Sequence, residues 1–115
     1  MTGGAIHGAW DSFEWTPFPE YGGQRSIVYR SEDGKIVAGA AHEKGKATLV
    51  YPWDEFFFVT QGSIVCDVEG GDTSTAKKGD VVYFKRGTKV NFEFSQDFYN
   101  IAVFISTDGE KVSLV

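Results

Sequence analysis

The segment DEFFFVTQGSIVCDV, residues 54–68, decides the fold class of this chain. It contains two runs rich in aromatic and β-branched residues, EFFFVT and SIVCDV, which the glycine turn TQGS connects. Runs of this kind on either side of a short glycine turn predict two neighbouring β-strands. The first run begins with Glu55, a carboxylate at the head of a mostly apolar segment. Because a buried charge must have a partner, Glu55 is a chemical tool, a metal ligand or a buried structural anchor.

The same pattern continues along most of the chain. In KVNFEFS, residues 89–95, the apolar residues Val90, Phe92 and Phe94 alternate with polar ones, which is the period of a strand. The apolar runs between glycine turns are RSIVYR (25–30), KIVAGAAH (35–42), KATLVY (46–51), EFFFVT (55–60), SIVCDV (63–68), DVVYF (80–84), KVNFEFS (89–95), FYNIAVFIS (98–106) and KVSLV (111–115). Many short strands at near-regular spacing, without a helical stripe, predict an all-β sandwich or barrel.

Composition limits the classes of partner and compartment. The 115 residues suit one domain with one core, for which 16% aromatic residues supply ample material. The net charge of -5 argues against a nucleic-acid partner, since a phosphate backbone requires a basic surface. We expect no membrane span, because no stretch approaches roughly 18 apolar residues, and no signal peptide, because the N-terminus lacks a basic and a long apolar region. The single cysteine, Cys66, permits no internal disulfide, so we expect a cytoplasmic protein.

The first 24 residues differ from the rest. They place aromatic residues among Gly, Pro and Asp, namely Trp10, Phe13, Trp15, Phe18 and Tyr21. A segment with so many aromatic rings needs a surface on which to bury them. We therefore predict an N-terminal arm over residues 1–24, packed on the barrel or on a second subunit, and a barrel over residues 25–115.

Two segments resemble the two conserved motifs of the cupin superfamily. The first is GKATLVYPWDEFFFVTQGSIV, residues 45–65, in which Glu55 and Gly62 match the motif's Glu and Gly. Its two histidine positions fall on Leu49 and Tyr51. The resemblance is greatest to the small cupins of the ethanolamine-utilisation and ureidoglycine aminohydrolase types, which often carry a tyrosine followed by Asp-Glu, as Tyr51, Asp54 and Glu55 do here.

The second segment is KKGDVVYFKRGTKVNF, residues 77–92, in which Gly79 and Gly87 match. Lys85 stands in place of the motif's proline, Val90 in place of its histidine, and Phe94, just beyond the segment, in place of its asparagine. The resemblance implies an all-β cupin jelly-roll barrel of one domain, with the aromatic N-terminal arm added. It also implies a homodimer, since small barrels of this kind commonly pair.

Most cupins that bind a metal use three His and one Glu, and only Glu55 remains of those four. Leu49 and Val90 have no atom that can bind a metal, and a tight site needs several converging N, O or S ligands. We therefore expect no metal and no other cofactor. One unorthodox alternative stays open, in which Glu55, Tyr51 and His42 together hold an ion.

Strand parity, counted from the motif, directs Leu49, Tyr51, Glu55, Val90 and Phe92 into the barrel. We predict Glu55 and Tyr51 as catalytic residues and the following as substrate-binding residues: Leu49, Phe57, Tyr83, Val90 and Phe92. The side of the sheet that Tyr83 faces depends on the register of its strand. Apolar surroundings raise the pKa of a carboxyl toward neutrality, which suits a general acid or base. The alternative is a structural Glu55 that bonds backbone N–H groups or the Tyr51 hydroxyl, with Tyr51 as a lining residue.

Cys66 is expected to be a small buried hydrophobic residue, and it would be a nucleophile only if a base such as His42 lay beside it. His42 itself is expected to be a solvated turn residue. Two functions stay open from sequence. In the first, a metal-independent enzyme of isomerase, cyclase, lyase or hydrolase type moves a proton on a small carbonyl-bearing molecule with Glu55, while Tyr51 holds the developing oxyanion. In the second, a non-catalytic cupin binds a small molecule or serves as an accessory module.

Overall fold

The computed structural model describes residues 4–113, and within them every regular element except one 3₁₀ turn is a β-strand. The ten strands are β1 Thr16–Phe18, β2 Gly23–Arg30, β3 Ile36–His42, β4 Gly45–Val50, β5 Asp54–Gln61, β6 Ser63–Val68, β7 Thr73–Lys77, β8 Val81–Phe84, β9 Lys89–Phe94 and β10 Tyr99–Ile105, with the 3₁₀ turn at Pro19–Tyr21. The prediction of an all-β fold is confirmed.

The strands form two antiparallel sheets that face each other. One sheet has six strands in the order β1-β2-β3-β10-β5-β8, and the other has four in the order β4-β9-β6-β7. From β3 onward every consecutive pair of strands except β6 and β7 lies in different sheets, so the chain crosses repeatedly between the layers. The inner faces bury a shared apolar core, in which Val59, Val90 and Phe98 have no exposed surface.

Two details of the predicted strand pattern differ from the structure. The polar run TSTAK forms β7, an edge strand that pairs with β6 and buries only Ala76. Conversely, residues 111–113 of the run KVSLV are not in a strand, and residues 114 and 115 lie outside the described range. In both segments the presence of a pairing partner determines whether a strand forms, because a strand needs a neighbouring strand with free backbone groups.

The aromatic arm packs on the outer face of the six-stranded sheet. The rings of Trp10 and Trp15 contact the Tyr99 ring edge to face, with centroids 5.8 and 6.0 Å away. The sheet itself begins before residue 25, since β1 pairs with the first residues of β2, Phe18 opposite Gly23. The boundary that we predicted at residue 24 between the arm and the barrel stays a prediction. Residues 1–3 lie outside the described range.

Within residues 4–113, no helix has the length and apolar character that crossing a bilayer would require. The expected cytoplasmic location stays a prediction.

Gly62, which joins β5 to β6, occupies a backbone conformation that only glycine adopts without strain. Its φ of 74° lies in the left-handed region, and a Cβ atom would come within 2.5 Å of the Ser95 Oγ and 2.9 Å of the Asp97 carbonyl oxygen. Gly70 has a similar φ of 77°, but a Cβ atom there would meet nothing within 4 Å. The two glycines thus separate backbone strain from steric overlap.

We expect Gly62→Ala to lower the free energy of unfolding by about 1–3 kcal/mol more than Gly70→Ala does. Both variants force alanine into the left-handed region, at a cost of about 1–2 kcal/mol, but only Gly62→Ala adds a methyl group that overlaps neighbouring atoms. Urea unfolding followed by tryptophan fluorescence measures both. Equal losses for the two variants would contradict the steric part of this explanation.

Candidate functional site

The space between the two sheets is not completely filled. It contains a cavity of about 290 Å³. Nine aromatic side chains of the described residues lie on its wall: Phe18, Tyr21, Tyr51, Trp53, Phe57, Phe92, Phe94, Phe98 and Phe104. Most remaining wall residues are aliphatic, and the charged ones are Glu20, Arg25, Glu43 and Glu55. A concave, largely apolar site with few polar groups is typical of small-molecule binding.

Glu55 projects into this cavity from the inner face of β5. Its side chain is 9% exposed, and its Oε1 atom accepts a hydrogen bond of 2.6 Å from the Tyr51 hydroxyl. In the next strand of the sheet Glu55 pairs with Phe84, which also faces inward. The prediction that a carboxylate lines the interior among aromatic rings therefore agrees with the geometry.

Tyr51 is held in place by its backbone and by its ring. It follows β4, and its backbone N–H donates to the Thr88 carbonyl at 2.9 Å while its carbonyl accepts from the Gly87 N–H at 2.7 Å. The ring stacks on Phe84 with centroids 4.9 Å apart and meets Phe92 edge to face at 6.4 Å. The turn that contains the second motif's glycine thus positions the hydroxyl that bonds Glu55.

Burial dominates the acid–base properties of the pair. Desolvation raises the pKa of Glu55 from 4.5 to about 8; the Tyr51 hydrogen bond opposes this, and the nearby Glu43 adds to it. Burial and the adjacent Glu55 carboxyl raise the pKa of Tyr51 well above its ordinary value. Tyr51 therefore keeps its phenolic proton, and Glu55 is the member of the pair that titrates near neutral pH.

A second carboxyl on the wall was not predicted from sequence. Glu43 follows β3, and its Oε1 atom accepts a hydrogen bond of 2.9 Å from Asn100 Nδ2. Burial raises the pKa of Glu43 to about 7 against the lowering effect of that hydrogen bond. The Glu43 side chain is half-buried.

A sequence signal for this second pair did exist. Glu43 continues the inward parity of Val37, Gly39 and Ala41, all of which line the cavity. Asn100 is a single polar residue in the apolar run FYNIAVFIS, and it has the parity of the inward-facing Ala102. The glycine turn HEKGK follows directly, and Glu43 was not considered as a site residue.

Of the predicted substrate-binding residues, Leu49, Phe57 and Phe92 lie on the cavity wall, as do both predicted catalytic residues. Two corrections follow for the others. Val90 is fully buried in the core and does not reach the cavity wall. Tyr83 pairs with Phe56, so it faces outward, is 49% exposed, and donates a hydrogen bond of 2.6 Å to Asp54 Oδ2.

Cys66 and His42 are not brought together. Cys66 is buried on the inner face of β6, and burial followed by the Glu55 charge raises the pKa of its thiol to about 12. His42 lies on the outer face of β3, where its ring stacks on Tyr99 at 4.2 Å and its Nδ1 lies 2.9 Å from the Phe98 carbonyl oxygen. It is partly buried and not a solvated turn residue, and it is absent from the cavity wall.

The side chains present do not fit the metal that the cupin resemblance implies. Two histidine positions of the motif hold Leu49 and Val90, which offer only carbon atoms. Within the described part of the chain, no group of three or more His, Cys, Asp or Glu side chains is arranged to hold a metal ion. The unorthodox set of Glu55, Tyr51 and His42 does not converge, because His42 faces away from the cavity.

Comparison with known proteins places this geometry in a family. Residues 30–100 match the family described as the EutQ-like cupin domain. No curated protein matches the sequence. Similar solved structures include the Clostridium difficile EutQ protein, with a TM-score of 0.63 and 20% identity over 78% of this chain and 66% of that one.

Two further structures carry other names. KdgF from Halomonas sp. has a TM-score of 0.66 and 22% identity over 83% of this chain and 89% of that one. An acetylacetone dioxygenase from Acinetobacter johnsonii has a TM-score of 0.72 and 17% identity over 100% of this chain and 87% of that one. At these identities the likenesses establish the fold alone. The family match covers most of the chain and includes both glycine motifs, and it confirms the resemblance read from them: this chain belongs to the EutQ-like cupin family.

Proposed function

We propose that this protein binds a small, carbonyl-bearing organic molecule in the cavity and transfers a proton to or from it through Glu55, without a metal ion. One observation carries the proposal: a buried carboxyl, tuned toward neutral pH, stands on the wall of a cavity large enough for a small ligand. Perturbed carboxyls in clefts are enriched at functional sites. A core completely filled by Phe57, Phe92 and Phe94 would have favoured a scaffold instead.

The hydrogen bond defines how Glu55 would work. With a pKa of about 8, Glu55 is mostly protonated at pH 7 and is a general acid in that form. Tyr51 donates to Oε1, which leaves Oε2 to give its proton to a carbonyl oxygen or, when ionised, to accept one from carbon. Because the Tyr51 hydroxyl is already directed at Glu55, this geometry supports a positioning role for Tyr51 more than the oxyanion contact that we predicted from sequence.

Supporting evidence for a carbonyl substrate is chemical. The aromatic wall excludes water, and hydrogen bonds from a neutral carboxyl to a carbonyl are strongest in such surroundings. Among the similar structures, the acetylacetone dioxygenase is named for a dicarbonyl compound. The alternative is a non-catalytic cupin that binds a small molecule, and it is favoured by the carbon side chains at Leu49 and Val90, which replace motif ligands.

A homodimer is part of the same proposal. Large apolar side chains stay exposed on the outer face of the six-stranded sheet, namely Ile36, Phe56, Val81, Tyr83, Ile101 and Ile105. They come from four adjacent strands, β3, β10, β5 and β8, and therefore form one continuous patch. A patch of this kind on a folded domain marks an interaction surface.

Exchange of hydrogen at carbon tests the proton-transfer function without knowledge of the natural substrate. In D₂O, we expect the wild-type protein to accelerate deuterium incorporation beside the carbonyl of at least one of acetone, cyclohexanone and 2-oxobutanoate, measured by ¹H NMR. Glu55→Gln should lower that rate at least about 100-fold, the usual scale for losing a general acid or base. Glu93→Gln, which changes an exposed carboxyl on β9, is the matched control. Binding of a probe without exchange by the wild type would favour the non-catalytic alternative.

The raised pKa of Glu55 also predicts how stability depends on pH. Between pH 4.5 and about 8 the folded protein holds a proton that the unfolded chain has released, so the free energy of unfolding should fall as the pH rises through this window. The slope is at most about 1.4 kcal/mol per pH unit for one group. Glu55→Gln should flatten the curve, leaving the smaller part due to Glu43, whereas Glu93→Gln should run parallel to the wild type. Urea unfolding at a series of pH values measures this, and a Glu55→Gln curve parallel to the wild type would be inconsistent with a buried, protonated Glu55.

The dimer prediction is tested by sedimentation velocity. We expect the wild-type chain to sediment as a dimer, and the double variant Phe56→Lys, Ile101→Lys to sediment as a folded monomer, because two charges in the centre of the patch cannot be desolvated. Val50→Lys places the same charge on an exposed apolar position of the other sheet and should stay dimeric. A monomeric wild type, or a dimer unaffected by the double variant, would rule out this surface.

A further inference from the structure

The cavity wall carries three carboxyl groups, of which Glu20 is exposed and Glu43 and Glu55 are not, against one positively charged side chain. Glu43 and Glu55 reach the cavity from different strands, and each accepts one hydrogen bond at Oε1 from a neutral donor, Asn100 or Tyr51. Neither has its pKa lowered by a cation, and Glu43 raises the pKa of Glu55, so the two groups repel each other when both are ionised. The positively charged wall residue is Arg25, whose guanidinium lies over the Phe18 ring at 5.3 Å.

The rest of the wall is suited to a cation for a separate reason. Aromatic faces carry partial negative charge and attract ammonium groups, by about 2 kcal/mol or more where water is excluded. The nine rings that line the cavity surround the space next to the two carboxyls. An aromatic enclosure combined with carboxyl groups is a common arrangement for binding organic ammonium ions, and it differs from a metal site, which needs several converging ligands.

The two carboxyl groups are not equivalent. Glu43 ionises at the lower pH, near 7, and the Asn100 amide stabilises its charged form. Glu55 stays protonated to about pH 8. Glu43 is half-buried and accepts from an amide, whereas Glu55 is buried against the Tyr51 ring, so Glu43 is better placed to carry charge and Glu55 to keep a proton. Burial raises the pKa of the nearby Tyr21 hydroxyl to about 12, so Tyr21 keeps its proton.

We propose that the cavity selects small organic amines, and that the Glu43 carboxylate, oriented by Asn100, binds the protonated amino group while the aromatic rings surround it. This inference rests on the cavity being the binding site for a small organic molecule, and it adds the class of that molecule. Glu55 is then free to act on another part of the same ligand.

Three probes of equal shape and different charge test the inference: isoamylamine, isoamyl alcohol and isovalerate. Isothermal titration of the unmodified chain near neutral pH should show isoamylamine binding at least about tenfold more tightly than isoamyl alcohol, which corresponds to about 1.4 kcal/mol. Isovalerate should bind most weakly, because its carboxylate is repelled by the ionised Glu43. This comparison requires no variant and therefore does not depend on whether a variant folds.

Variants then assign the amine to one carboxyl. Glu43→Gln should abolish the preference for isoamylamine and leave the affinity for isoamyl alcohol within about twofold, since charge-assisted bonds to an ionised group are lost and packing is retained. Glu93→Gln should keep the preference. Loss of the preference in Glu55→Gln but not in Glu43→Gln would overturn the assignment to Glu43.

The remaining outcomes separate this inference from the proposed function. Equal affinity for the amine and the alcohol, or tightest binding of isovalerate, would overturn amine selection and leave the cavity as a binding site. Displacement of isoamylamine by magnesium or calcium chloride at equal ionic strength would show a metal site in its place. Binding of none of the three probes would overturn both proposals.

Discussion

A carboxyl group that is buried among aromatic rings must find a hydrogen-bond donor, and this constraint organises the interior of the protein. At Glu55 the donor is the Tyr51 hydroxyl, at 2.6 Å. That contact requires a defined backbone position for Tyr51, directly after β4. The backbone hydrogen bonds of Tyr51 to Gly87 and Thr88 fix this position. The glycine turn between β8 and β9 thus helps to orient an acid on β5. The Tyr51 ring also stacks on Phe84 and meets Phe92 edge to face, which holds its hydroxyl in place.

The second pair, Glu43 with Asn100, shows that the same solution is used twice in one cavity. In each case a neutral side chain donates to a carboxyl that desolvation makes difficult to ionise. Neutral donors satisfy the carboxyl without fixing its protonation state, which a lysine or arginine would do. The interior can therefore change its charge by one or two protons near neutral pH. In this EutQ-like cupin, Leu49, Tyr51 and Val90 stand at the histidine positions of the motifs, and the two acids of the interior are the motif residue Glu55 and Glu43, which lies outside the motifs.

Much of the fold could be predicted from the sequence, because alternation and glycine turns are local signals. The two motif segments indicated the family. Strand parity counted from the motif predicted that the Glu55 side chain points inward, and the structure agrees. The predictions that failed concern side chains whose orientation depends on pairing between strands that are distant in sequence. Tyr83 faces outward because β8 aligns Phe84 with Glu55, and Val90 faces inward but is fully buried in the core away from the cavity wall. Glu43 was missed because a glycine turn in sequence conceals that its side chain continues the inner face of β3.

The dipeptide Asp54-Glu55 contains two chemically similar acids that face opposite sides of the sheet. Asp54 faces solvent, where the Tyr83 hydroxyl and the Arg86 backbone N–H both donate to it and hold its pKa below the ordinary value. A slip of β5 by one residue would exchange the two side chains, burying the anion and exposing the proton donor. The two hydrogen bonds to Asp54 therefore help to fix the register of β5 against β8. A substitution of Tyr83 on the outer surface of β8 can thus affect Glu55 on the inner face of the sheet without contacting it.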